Sequence, residues 1–372
     1  MKVLILSSRA SSLVQFRLDM IREILAQGHQ VIAAAPGGEE EWSCKITDVG
    51  AEYRTISVER TGLNPITDIK TLLSIYKLIK NEKPHVVFTY QAKTVIYGSI
   101  ASWLCGIQNI NALLAGLGSA FRSKGFKNMI IKLILSLQYK FALSKCKHVF
   151  FQNRDDLREF TKIGLVDGKK VTIINGSGVN LDNFRPQPIP KEDVFLFVGR
   201  LLRDKGIIEY MEAARIVKKK YPKIRIMILG PFDTNPTAIK QHDLQPYIDD
   251  GLIEYLGQTK DVRPFLKQCS VFVLPSYHEG TPKSVLEAMA TKRPIITTDA
   301  PGCRETVKDG VNGFLVPVGD AEALAEKMIW MIEHRSEAEK MAERSLEICR
   351  EKYDVKKINA VLLQTMGLRK EA

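Results

Sequence analysis

Short apolar runs alternate with longer stretches of helical periodicity along this chain, and that alternation restricts it to parallel sheets wound with helices. Val3-Leu4-Ile5-Leu6 reads as a strand buried on both faces. A Ser-rich loop, Ser7 to Ser12, follows it, then a predicted helix from about residue 14 to 26 that stops at Gly28. Strands are predicted over 31–35, 86–90, 110–114, 149–152 and 171–174, with a helix over 66–81. Between Gly176 and Asp193 the alternation breaks. Residues 178–186, with Pro186, Pro188 and Pro190, read as a connection between domains. A second series then begins with a strand at 194–198 and a helix at 206–219, and continues with strands at 224–229, 253–256, 271–274 and 295–297. A length of 372 residues suits two such domains. The expectation is an α/β chain with domains over 1–178 and 179–352. A last helical stretch over 353–372 need not belong to the second domain and is free to cross back to the first.

Composition narrows the function classes. Hydrophobic residues make up 45% and charged residues 26%, a globular balance. The six cysteines are scattered, with no CxxC pair and no His cluster, so neither a disulfide framework nor a zinc site is expected and a reducing cytoplasm fits. One Lys and a four-residue apolar run open the chain, too little for a signal-peptide core. No run is apolar for long enough to span a bilayer. The net charge of +12 is uneven: residues 1–185 hold 25 Lys and Arg against 15 Asp and Glu, the remainder 29 against 27. Something anionic is expected to approach the first half: lipid headgroups, a phosphorylated acceptor or nucleic acid.

The densest chemistry lies in residues 269–305. A buried strand delivers a loop carrying Glu279 and Gly280, and the loop opens a helix with Thr281 read as N-cap and Pro282 as first helical residue. Unpaired N–H groups at such an end bind phosphate. Carboxylates cannot, but Glu279 and Glu287 can accept from sugar hydroxyls on either side of a diphosphate. The residues alone leave a capped helix with two solvated glutamates as the other reading. A second element, Gly199-Arg200 through Lys205-Gly206, leaves the carboxyl end of the strand at 194–198, where ligands bind in open α/β sheets. Its two cations suit a diphosphate, Arg as a planar fork and Lys as a point charge; surface charge near a helix start is the alternative.

In this order the elements resemble the retaining GT-B glycosyltransferases of family 4, over nearly the whole chain. The family's E-x7-E motif matches Glu279 and Glu287, and its GR-x4-KG motif matches Arg200 and Lys205. Pro301-Gly302-Cys303-Arg304-Glu305 and the run from Asp309 to Val316 are also similar to it. The resemblance implies two facing Rossmann-like domains with parallel sheets. It implies that Glu279 contacts the donor sugar, Glu287 the ribose, and the Arg200–Lys205 pair the diphosphate. Gly199, Gly280, Thr281, Pro282 and, more loosely, Gly257 belong to that donor site. No Asp-x-Asp occurs, so no metal and no cofactor is expected, the UDP-sugar being a co-substrate. The family's histidine after the strand at 86–90 is replaced here by Gln91-Ala92-Lys93-Thr94. Lys93 is then a candidate for the transferred sugar or an acceptor phosphate, or a solvated lysine. Ser7 and Ser11 of the Ser-rich loop are expected at the cleft. Gly116-Leu117-Gly118-Ser119 and Thr61-Gly62-Leu63-Asn64-Pro65 resemble a subgroup acting on polyprenyl-diphosphate-linked sugars in bacterial glycan assembly, which places Gly118 near the acceptor.

Residues 122–147 suit a lipid-borne acceptor. They hold seven basic residues, Lys124, Lys127, Lys132 and Lys140 among them, no acidic one, and aliphatic bulk between them. Such a segment docks on an anionic membrane surface if its apolar side chains are exposed, or is a core helix with snorkelling lysines if they are not. The expectation is therefore a metal-independent transferase, cytoplasmic and peripheral on the inner face of the cell membrane. Its partners would be a UDP-sugar donor, a polyprenyl-diphosphate-linked sugar and the membrane. An epimerase on the same fold, a transferase with a soluble acceptor, and a nucleic-acid binder are the rivals. The last lacks any RRM, KH or helix-turn-helix signature, and no nucleic-acid partner is expected.

Overall fold

The computed structural model describes residues 1–37, 40–59, 64–114, 126–235 and 237–369, and only the backbone of 126–128. The chain divides into two compact units, 1–177 with 355–372, and 178–354.

The first unit runs β1 (Lys2–Leu6), α1 (Ala10–Ala26), β2 (Gln30–Ala35), α2 (Glu40–Thr47), β3 (Glu52–Thr55), α3 (Pro65–Glu82) and β4 (Val86–Tyr90). A π-helical turn, Thr94–Gly98, leads into α4 (Ser99–Leu104), followed by β5 (Asn109–Leu114), α5 (Phe126–Ser144), β6 (His148–Phe151), α6 (Arg154–Lys162) and β7 (Val171–Ile173). The strands form one parallel sheet in the order β3-β2-β1-β4-β5-β6-β7. Both faces are buried: Val3 and Ile5 join one apolar cluster, Leu4 and Leu6 another. This is why the strands read as continuous apolar runs. Helix α1 begins at Ala10 rather than near residue 14, so Ser11 and Ser12 lie in its first turn, buried, rather than in a loop. The edge strand β3 carries Glu52 and Arg54 and has no apolar run to betray it.

The second unit runs β8 (Val194–Val198), α7 (Ile207–Lys220), β9 (Arg225–Leu229), α8 (Gln241–Asp249), β10 (Glu254–Tyr255), α9 (Arg263–Gln268), β11 (Val271–Leu274), α10 (Lys283–Ala290), β12 (Ile295–Thr298), β13 (Gly313–Val316), α11 (Ala321–Glu333) and α12 (Arg335–Lys352). Its parallel sheet has the order β10-β9-β8-β11-β12-β13. After Asp354 the chain returns to the first unit as α13 (Val355–Thr365). Ile358, Leu362, Leu363, Met366 and Leu368 pack into the same cluster as Val3 and Ile5. The Asn109 amide donates to the Met366 carbonyl at 2.8 Å, fastening the helix to β5.

In each sheet the strand order reverses once, between β1 and β4 and between β8 and β11. Connections on either side of such a reversal leave on opposite faces and open a crevice at the carboxyl ends of the two strands. Among the described residues, no helix is long and apolar enough to cross a membrane. All six cysteines are free.

Candidate active site

In the second unit the reversal lies between β8 and β11, and the two loops that leave those strands are tied together. Beyond β8, Gly199 and Arg200 lead into a short 3-10 turn, Arg203–Lys205, and Gly206 then starts α7. Gly206 is left-handed, with φ +72°, and an added Cβ would lie 2.0 Å from the Pro275 carbonyl oxygen. Only glycine permits that approach. Across the gap, Tyr277 N–H donates to the Asp204 carbonyl at 2.9 Å and the Ser276 hydroxyl to the same oxygen at 3.1 Å. The Thr298 hydroxyl donates to the Ser276 carbonyl from β12. This stitching brings Lys205 Nζ onto Glu279 Oε1, with both side chains mostly buried.

Glu279 is held from behind as well. Its N–H donates to the Pro301 carbonyl at 2.9 Å. Gly302, with φ +78°, lies so close that a Cβ would stand 2.1 Å from the Glu279 carbonyl oxygen. Arg200 Nη1 pairs with Asp233 Oδ2 at 2.9 Å. Both expected diphosphate cations are thus present at the strand ends, each resting on a carboxylate of a neighbouring loop.

The helix after Glu279 starts one residue later than the sequence reading placed it. Pro282 is the N-cap, with extended φ and ψ, and Lys283 is the first helical residue; Thr281 lies in the loop. Proline carries no side-chain acceptor, so the N-cap residue itself gives the first N–H groups of α10 no side-chain cap. Glu287 lies on this helix, 13% exposed, with Lys283 Nζ 3.7 Å from its carboxylate. Burial pushes the Glu287 carboxyl above the usual carboxylate range; Lys283 pulls it back and the Asp261 charge pushes it up. Gly280 follows Glu279 directly. Gly257 follows β10, where its carbonyl accepts from Gly230 N–H at 2.7 Å. Sequence reasoning missed Asp233 and Tyr277. Asp233 follows the carboxyl end of β9, the edge where ligand-binding loops gather. Tyr277 donates to Glu209 Oε1 at 2.7 Å, and burial first, then Glu209, pushes its phenol up to about 12.

In the first unit the corresponding edge centres on Gln91, the first residue beyond β4. Gln91 is left-handed, with φ +75°. Its Oε1 accepts from Ser8 N–H at 2.8 Å, Ser8 Oγ at 2.6 Å and Ser7 Oγ at 3.1 Å, and its Nε2 donates to Ser12 Oγ at 3.1 Å. The glutamine at the family's histidine position is therefore a clasp between β4 and the start of α1. Lys93 is tied to Asp68 at 2.8 Å, with side chains 11% and 12% exposed, so it is neither solvated nor at the end of a free arm. Gly118 and Lys124 lie outside the described residues, as does the side chain of Lys127. Lys132 is half-buried and Lys140 exposed on α5.

Two family models match the chain. One described as "Glycosyl transferase 4-like" covers residues 2–153, and one described as "Glycosyl transferases group 1" covers residues 180–347. The N,N'-diacetylbacillosaminyl-diphospho-undecaprenol alpha-1,3-N-acetylgalactosaminyltransferase of Campylobacter jejuni is 28% identical over 347 residues, 90% of each chain. The UDP-Gal:alpha-D-GlcNAc-diphosphoundecaprenol alpha-1,3-galactosyltransferase of Escherichia coli is 30% identical over 283 residues, 72% of this chain and 71% of that one. In fold, Anabaena HepE, solved in complex with UDP-glucose, superposes over 99% of both chains with a TM-score of 0.78 at 16% identity.

Proposed function

The chain belongs to the group 1, glycosyltransferase 4-like family of glycosyltransferases, and from that premise we propose that it moves a hexose or N-acetylhexosamine from a UDP-sugar to a sugar already linked to a polyprenyl diphosphate. The observation that carries the donor half is the meeting of Lys205 with Glu279 at the strand reversal of the second unit. A cation, an acceptor carboxylate and a helix start gather there. That set suits a sugar diphosphate better than any other common ligand. Glu279 accepts from hydroxyls of the transferred sugar, Arg200 and Lys205 hold the two phosphates, and Glu287 accepts from the ribose.

Transfer retains the anomeric configuration and needs no protein nucleophile. The bond between the anomeric carbon and the UDP oxygen breaks while the acceptor hydroxyl bonds to the same face. The acceptor proton passes to a phosphate oxygen of the departing UDP. Charge builds on that diphosphate, which is where Lys205 and Arg200 act. Their cations do the work a divalent metal would otherwise do.

The first unit takes the acceptor. Helix α5 exposes Met129, Ile130, Leu133, Ile134 and Leu137, beside lysines and without an acidic residue. Those side chains are the ones that needed to be exposed for a membrane reading, and an anionic surface is their proposed partner. The deciding experiment screens UDP-sugars for turnover against short polyprenyl-diphosphate sugars. At least one donor is converted only when acceptor is present, giving an α-linked product. Conversion of the donor without any acceptor would sink this reading in favour of an epimerase.

A further inference from the structure

The first unit holds a buried cation that no described residue balances. Arg17, on the second turn of α1, is 2% exposed. Its Nε is enclosed and meets no acceptor, and among the described residues the guanidinium makes no hydrogen bond and no ion pair. Its neighbours are rings: the guanidinium carbon lies 4.9 Å from the Tyr90 ring centre and 5.6 Å from that of Phe88. Burial lowers its pKa only to about 10, so it stays protonated at neutral pH. Cation–π contacts recover a small share of the cost of stripping water from such a charge.

This chain also shows how it builds a structural buried arginine. Arg293, fully buried, donates to five backbone carbonyls, those of Leu266, Gln187, Lys292, Pro188 and Lys267. Arg17 has none of that. Beside it the Tyr90 hydroxyl is also buried, with the Ser7 and Ser12 hydroxyls within reach of it. These groups stand at the carboxyl ends of β1 and β4, where the strand order reverses. Helical side chains lean toward the N-terminus of their helix, which aims Arg17 at the first turn of α1. The N-cap of that helix, Arg9, supplies no side-chain acceptor to its first N–H groups. A cation, a hydroxyl and a helix start converge on one edge, with no anion among the described residues.

We propose that Arg17 and Tyr90 form a diphosphate-binding site at the strand reversal of the first unit. The reading of the chain as a transferase supplies only the source of that diphosphate, the UDP-sugar or the polyprenyl-linked acceptor. The test titrates inorganic pyrophosphate, UDP and geranyl diphosphate separately into the full chain and its Arg17→Met and Arg17→Lys variants by calorimetry, with thermal midpoints measured alongside. Arg17→Met is expected to weaken at least one probe tenfold or more without lowering the midpoint, because methionine fills the space without the unbalanced charge. Arg17→Lys keeps charge but not the fork and should fall between; it carries the test alone if the methionine variant does not fold. Loss confined to UDP assigns the site to the donor, and loss confined to geranyl diphosphate assigns it to the acceptor. Parental affinity of the variants for all three probes overturns the proposal, as does a parent that binds none. Arg17-dependent pyrophosphate binding by a chain that turns over no UDP-sugar would keep this site and remove the transferase reading.

Discussion

Lys205 and Glu279 pair with each other at the strand reversal, so their substitution bears on both chemistry and stability. Removing one partner of a largely buried ion pair leaves the other charge unbalanced and costs stability, while one lost charge stabiliser at a leaving group costs about a hundredfold in rate. Lys205→Ala should lower kcat by ~100-fold in the folded variant, with a lowered thermal midpoint as well; turnover within twofold would remove Lys205 from the chemistry. Glu287 gives a pH signature. Its carboxyl is raised by burial, and only the ionised form accepts from both ribose hydroxyls. Donor affinity should therefore be full above that raised value and fall as pH drops through it, beginning at a higher pH than an ordinary carboxylate would allow. KM for the UDP-sugar measured from neutral pH downward should show this limb, and Glu287→Gln should flatten it. At this scale the sequence revealed residue types better than partners. Arg200, Lys205, Glu279 and Glu287 were legible because their spacing matches two motifs of the family the chain resembles; the residues alone left surface charge and a capped helix as open alternatives. Asp233, the clasp of Gln91 on Ser7, Ser8 and Ser12, and the isolation of Arg17 were not. Each depends on residues brought together by strand pairing, Ser8 and Gln91 being 83 positions apart.

Elements were legible where periodicity is strong and misjudged where side chains compete with the backbone. Helix α1 starts in serines, weak helix formers that favour turns, yet packing on α2 and β2 carries the helix back to Ala10. The N-terminus of α10 lies one residue beyond its sequence reading because Thr281 is the better N-cap by composition, while in the structure Pro282 takes that position. Gly302→Ala should force Glu279 away from Lys205. It is expected to cost about 2 kcal/mol of stability, from positive φ and close contact together, and to lower kcat/KM as well. Denaturant midpoints and kinetics on one preparation check both, and unchanged kinetics would detach the Glu279 loop from function. Helix α5 makes the other prediction of this scale. Leu133 and Leu137 are the most exposed of its apolar residues, so Leu133→Glu with Leu137→Glu leaves the core untouched. Binding to anionic vesicles should fall at least tenfold, since each change removes apolar insertion and adds repulsion, while transfer to a water-soluble acceptor analogue persists. Equal vesicle binding by parent and variant would take α5 out of the membrane reading.

At the scale of the whole molecule, sequence order and spatial order part company at Asp354. Doubling of the βα series was visible from the strand runs and the proline-rich connection; the last helix was left free to cross back without its destination being fixed, because an amphipathic helix does not say which apolar face it covers. The structure gives it to the first unit, where Ile358, Leu362, Leu363, Met366 and Leu368 are all buried in the cluster of Val3, Ile5 and Val31. Each such side chain contributes about 1.5–3 kcal/mol on burial, so five of them match the net stability of a typical domain. Ending the chain at Asp354 should therefore unfold the first unit while the second, whose apolar cluster includes no residue beyond Tyr353, stays folded. Hydrogen exchange reads the two units separately. Amides of β1, β4 and α1 should lose their protection in the shortened chain, those of β8, β11 and α10 should keep it, and UDP binding at the Lys205–Glu279 pair should survive the loss of acceptor turnover. Protection unchanged in β1 would mean that the first unit folds without its C-terminal helix, and that the helix serves some purpose other than closing that core.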